Sequence, residues 1–174
     1  MSHGRSLAKP AFPDDDGSLD DVLGAAFDEF AAHGNPAAIV GALSSVRVFV
    51  PVVALLGQTP SEGDKDSEMA AVFMTGADGR KALLVFSSLD TMKSWDRHAR
   101  PVPIYGYDAA RAALDEGAAA LLLDLSGPHF VVVETGDLEH LAAGDQLVNT
   151  EAGTGWITSP PLAGDLATSR RSGR

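Results

Sequence analysis

The sequence predicts a single α+β domain, a mixed or antiparallel sheet of about five strands with two β-hairpins, its helices packed mainly on one face. Three observations point there. Apolar residues recur at helical spacing near the N-terminus, several short runs of Val, Leu and Phe are too brief for helices, and glycine-containing turns join those runs in pairs. With 174 residues, 45% of them hydrophobic and 21% charged, the chain is long and apolar enough to bury one core.

Residues 1–18 contain Pro10, Pro13 and the run Asp14-Asp15-Asp16-Gly17-Ser18 without apolar periodicity, and read as a flexible leader. Order is expected from Leu19. Between Leu19 and Ala32, the residues Leu19, Val22, Leu23, Ala26, Phe27 and Phe30 form a helical stripe; Ser18 is the expected cap, Asp20 and Asp21 lie in the first turn, and Gly34 ends it. Asn35-Pro36 predicts a second, short helix over 37–43, stopped by Ser44-Ser45. Val46, Val48, Val50, Val52 and Val53 form a strand in which Pro51, lacking an amide donor, points to an edge position or a bulge. The polar segment 57–67 reads as a solvated loop.

Two runs, 69–75 and 81–86, flank Gly76-Ala-Asp-Gly-Arg80 and read as a hairpin, after which Ser88 caps a helix from Leu89 to Trp95. Pro101 and Pro103 mark a linker, and Asp108 is the expected cap of a helix containing Ala109, Ala112, Ala113 and Leu114, stopped by Gly117. A second hairpin follows, with strands 118–125 and 130–133 about the turn Ser126-Gly-Pro128, and a helix over 137–143 is closed by Gly144. The two units keep one offset, since Ala70 to Ala119 and Leu89 to Leu138 both span 49 positions. That spacing fits an internal duplication and two ordinary hairpins equally. The domain is thus expected over 19–144, with 145–174 a loosely packed end and a disordered tail.

Thirteen Lys and Arg against twenty-four Asp and Glu leave a net charge of −11, which opposes binding to phosphate backbones and anionic lipid. No nucleic-acid or membrane partner is expected, and Arg170, Arg171 and Arg174 read as a solubilising tip. The chain has no cysteine, which excludes disulfides, thiolate zinc sites and cysteine nucleophiles. The N-terminus lacks a signal-like apolar region, and the stretch 46–56 is broken by Arg47 and Pro51 and falls short of the roughly 20 residues of a membrane span; a cytoplasmic location is expected.

His3, His33, His98, His129 and His140 offer no pair at i, i+4, and Asp14, Asp15, Asp16, Asp20 and Asp21 lack the alternation of a calcium loop. Gly76 and Gly79 lead into a strand, whereas a phosphate loop leads into a helix. No catalytic residue, metal or cofactor is therefore assigned. Asp124 and His129 face each other across a turn, where such residues are ordinarily structural. The candidate binding residues are aromatic: Trp95 at a helix end, and Tyr105 and Tyr107 in the proline-rich segment beyond it. The competing reading has Trp95 plugging the end of the core.

The run Val50-Pro51-Val52-Val53, the run from Gly79 through Phe86-Ser-Ser to Trp95, then Pro101-Val-Pro103, Glu116-Gly117-Ala and Leu123-Asp124-Leu-Ser-Gly127-Pro128 occur in an order that resembles the N-terminal domain of the SseB family. The likeness covers about residues 20–144, with Leu125 where proline is common and Ser87 where threonine is common. It implies the short, single-domain actinobacterial form. The family is named for a serine-sensitivity phenotype and has no established catalytic residue, so the resemblance implies no enzymatic role for this chain. The leading expectation is a non-enzymatic cytosolic module that binds a protein partner through a sheet edge or the Trp95 loop. The alternative is a small-molecule binder or minor enzyme of amino-acid metabolism using Arg80, Asp124 or His129. A flat apolar patch favours the first, a deep pocket with converging polar groups the second.

Overall fold

The computed structural model describes residues 11–54 and 69–158. The expected solvated loop at 57–67, the first ten residues and the tail from 159 onward lie outside the described residues. Helix α1 runs Asp21–His33 and α2 runs Ala37–Leu43. The cap of α1 is Asp20, whose side chain accepts from the Val22 amide at 2.8 Å, rather than Ser18, whose carbonyl is engaged by Arg47. Gly34 ends α1 at φ 70°, and the Asn35 side chain accepts from the first amide of α2 at 3.0 Å.

Strands β1 (Arg47–Ala54), β2 (Met69–Ala71), β3 (Phe73–Thr75) and β4 (Lys81–Val85) precede helix α3 (Leu89–Trp95), with Ser88 and Thr91 forming its capping box. Strand β5 (Arg100–Tyr105) leads directly into α4 (Gly106–Asp115), and β6 (Ala120–Leu123) and β7 (Val131–Glu134) form the second hairpin ahead of α5 (Thr135–Ala143). The last described elements are β8 (Gln146–Thr150) and β9 (Gly153–Ile157).

Two ladders meet at a fork. One has the order β2-β1-β5 and the other β3-β4-β6-β7, with β4 and β6 parallel and the remaining pairs antiparallel. The segment 69–75 leaves β1 at Ala71 and joins β4 at Phe73, while Phe49 and Phe86 exchange both backbone hydrogen bonds at 2.8 Å and link the ladders. This makes a single α+β fold with a mixed sheet.

The prolines behave differently from the sequence expectation. Pro51 lies in a strand paired on both sides, neither at an edge nor in an expected linker, and Pro101 and Pro103 lie within β5. Because Phe49 spends its amide and carbonyl on Phe86, its partner Pro103 occupies a position that needs no cross-strand amide, as does Pro101 two residues before it. The missing amide of Pro51 falls where the 69–75 segment crosses between ladders, so its carbonyl accepts from Val72 at 3.1 Å without a return bond. On β5 the same parity turns both prolines toward the free edge and removes the donors an added strand would need.

Alternation along the strands sets two faces. Val48, Val50, Leu83, Val85, Leu121, Leu123, Val131 and Val133 enter the main core with the buried sides of α1, α2, α4 and α5. Phe49, Leu84 and Phe86 point the other way and pack with Met92 of α3. Four of the five helices thus share one face, as expected. The two hairpin-plus-helix units repeat in spacing but not in packing, since α3 and α5 lie on opposite faces. Residues 146–157, expected as a loose end, form a hairpin whose Leu147 and Trp156 pack on the main core, with the indole stacked 4.9 Å from His140 and bonded at 3.0 Å to Asp137.

Asp108 lies in the first turn of α4 rather than at its cap, because the helix starts earlier, where Gly106 donates to the Val46 carbonyl at 3.0 Å. A β-carbon at Gly106 would overlap the Leu43 carbonyl oxygen, which is backbone and cannot swing aside. Gly106→Ala is expected to cost about 1–3 kcal/mol, the usual range for overpacking, measured by urea denaturation. Unchanged stability would show that α4 can shift away from the α2–β1 junction freely.

Candidate binding surface on the outer sheet face

The face opposite the main core divides into three zones, two covered and one exposed. At one end, Arg47 and Tyr105 stand directly opposite each other in the β1–β5 ladder, and the N-terminal arm 11–18 lies over them. Asp15 grips the Arg47 guanidinium at 2.9 and 3.0 Å, Ser18 accepts from it through its carbonyl, and the Phe12 ring sits 4.8 Å from that of Tyr105. In the middle, α3 covers Phe49, Leu84 and Phe86. At the far end, among the described residues, Met74 and Val132 stay 42% and 38% exposed around Ala82 and Leu122, and Phe130, two residues before Val132, is 45% exposed.

The sequence candidates divide between zones. Trp95, half-buried, closes α3 with its ring 5.5 Å from Phe86, so it borders the middle zone. Tyr105 stacks on Tyr107 at 5.4 Å, and the Arg111 guanidinium lies 5.3 Å over Tyr107. Trp95 thus packs with Phe86, whereas Tyr105 packs with Tyr107 and Phe12. The three aromatics therefore form two places rather than one groove.

Asp124 and His129 do not come together as a pair. Both oxygens of Asp124, a residue 1% exposed, are taken by Ser87, from its amide at 2.8 Å and its hydroxyl at 2.6 Å. His129 stacks on Phe27 of α1 at 4.9 Å. The Ser87 carbonyl in turn accepts from Arg47 at 2.7 Å, so Asp15, Arg47, Ser87 and Asp124 form one polar chain across the ends of β1, β4 and β6. A charge this deep, 7% exposed in Arg47, must be paired, and Asp15 with two backbone carbonyls satisfies it. A lone Arg opening a valine strand was the sequence signal for this network, but its partners lie 32 and 40 positions away and no spacing rule reaches them.

Arg80, the remaining candidate, lies in the turn of the first hairpin at the rim of the exposed zone. It bridges Asp78 at 2.7 Å and Glu134 at 2.9 Å, and its hydrogen bonds hold the Asp78 carboxyl below the usual carboxylate range. On the opposite face of the sheet a cavity of about 540 Å³ lies beside the end of α4, lined by Val50, Val52, Phe73, Leu83 and Ile104 with Ala112 and Glu116 at its side.

The order of these elements coincides with a known domain. The model of the SseB protein N-terminal domain matches residues 23–140. The chain belongs to the SseB family. No curated protein and no solved structure matches it. In this SseB domain the segment Val50-Pro51-Val52-Val53 is the paired heart of β1, and Phe86-Ser87-Ser88 carries β4 through the fork into α3. Leu123-Asp124 ends β6 with Asp124 in the left-handed region at φ 53°. The family motifs thus mark the junctions at which this SseB domain joins its two ladders. No helix among its described residues is long and apolar enough to cross a membrane.

Proposed function

We propose that this SseB domain is a non-enzymatic cytosolic binding module acting through protein–protein contacts. The observation that supports this reading is the bare end of the outer face, where Met74, Val132 and Phe130 expose apolar surface on a sheet whose other zones are covered. Contiguous apolar surface of this kind marks contact sites more often than ligand pockets. The charges at its rim, Arg80, Asp78 and Glu134, are already paired with one another, and would orient a partner more than they would bind a small ion.

The small-molecule reading draws on the 540 Å³ cavity, which has the volume of a ligand site. Its lining is almost wholly apolar, with Glu116 the one charged lining residue, so few polar groups converge to orient a substrate. The two readings separate by experiment. Val132→Asp and Met74→Asp place charge on exposed positions and should leave the melting temperature within a few degrees of wild type. Affinity pull-down from the native lysate should then capture a partner with the wild type and at least tenfold less with the double variant. Equal capture by both proteins would remove this face as the contact surface.

A further inference from the structure

We infer that the Arg47–Tyr105 end of the outer face is a recognition site for a turn-forming peptide with an aromatic residue three positions before a carboxylate, occupied in this structure by the chain's own Phe12-Pro-Asp-Asp15, whose Asp15 amide donates to the Phe12 carbonyl at 3.5 Å. The inference goes beyond the binding-module reading and concerns the other end of the face, so either can fail without the other.

The arm is seated as a ligand would be, by side chains. Phe12 rests against Tyr105, itself stacked on Tyr107, and Asp15 makes a two-pronged ion pair with Arg47. The Asp15 side chain is only 19% exposed although the residue as a whole is exposed, as are Ala11, Pro13, Asp14 and Asp16 around it. The backbone of 11–16 makes a single long bond of 3.5 Å, within the arm itself, and none to the sheet. The root is different: Gly17, at φ 82°, is buried, its carbonyl accepts from the Leu89 amide at 2.9 Å, and a β-carbon there would overlap the Leu89 side chain. The arm is thus anchored at Gly17 and held beyond it by two plug-like side chains.

The receiving surface dictates the occupant's chemistry. Arg47 and Tyr105 are register partners on adjacent strands, so an aromatic and a carboxylate brought together by a single turn reach both at once. Arg47 also lies 4.1 Å over the Phe49 ring and gives one nitrogen to Ser87, which fixes the guanidinium with its fork turned to the arm. The arm is part of what buries Arg47, so its departure opens the guanidinium to water, and a second carboxylate seated there regains the two-pronged ion pair. The tethered arm competes at an effective concentration of about millimolar, so it blocks weak ligands and yields to a partner with the same two features and more contacts.

The test uses the full chain and a fluorescent synthetic peptide with the sequence of residues 11–19, followed by anisotropy. Phe12→Ala removes one plug and leaves the ion pair, and Phe12→Ala with Asp15→Asn loosens both. Each variant should bind the peptide at least tenfold more tightly than wild type does, and a peptide carrying Asp15→Asn should lose at least tenfold on the same variant. Circular dichroism and melting confirm that the variants are folded; should the double variant not fold, Phe12→Ala alone decides. Equal binding by wild type and variant, no binding by a folded variant, or indifference to the Asp15 change in the peptide would each overturn the inference.

Discussion

Phe86→Ala is expected to destabilise the protein by about 3–5 kcal/mol, the range for large aromatic truncations in cores. Phe86 is fully buried and sits at the point where β1 and β4 join, with Phe49, Leu84, Met92 and Trp95 around its ring. Its removal leaves a cavity beneath α3 that a seven-residue helix cannot fill by settling, because Ser88 and the bond from Leu89 to Gly17 fix its first turn. Trp95, for which the sequence offers a place plugging the end of the core beside the binding reading, is only half-buried, so Trp95→Ala should cost less, about 1–3 kcal/mol. Urea denaturation of both variants decides the order. A larger loss for Trp95→Ala would mean that the indole, not Phe86, closes the outer core.

The second large effect is expected at Asp124. Asp124→Ala strips two acceptors from the buried amide and hydroxyl of Ser87 and leaves alanine in the left-handed conformation at φ 53°. An unsatisfied buried donor costs about 1–3 kcal/mol and the strained backbone about 1–2, so a loss of about 3 kcal/mol follows. Asp124→Asn should cost less than about 1 kcal/mol, since the amide oxygen can accept from the Ser87 amide, its nitrogen can donate to the hydroxyl, and asparagine tolerates this conformation. Comparable losses for the two variants would show that the charge, rather than the hydrogen bonds, is what the site needs.

Both expectations concern residues that the sequence reading undervalued. Asp124 is legible as a turn residue, but its bonds to Ser87 join the ends of two parallel strands 37 positions apart, and nothing local encodes that meeting. Pro101 and Pro103 read as a linker because proline removes donors. They stand in a strand because the register with β1 leaves those positions without cross-strand bonds. The run from Asp14 to Ser18 reads as solvated because three consecutive carboxylates have no local partner, yet Asp15 is the counter-charge of an arginine 32 positions on.

The sequence by itself determined what local physics controls. Helical stripes, the Ser88 cap, the glycines at 34, 79, 117 and 144 with positive φ, and the apolar runs of the two hairpins place the five helices and the strands before β5 and of the second hairpin within a few residues, but not β5, β8 or β9. Only the tertiary structure decided which strands adjoin, that α3 is the helix on the outer face, and that Trp95 packs with Phe86 while Tyr105 packs with Phe12 and Tyr107. The reason is that capping and periodicity act over one or two turns, whereas register and burial depend on contacts between segments tens of residues apart, whose identity emerges only once the chain has closed on itself.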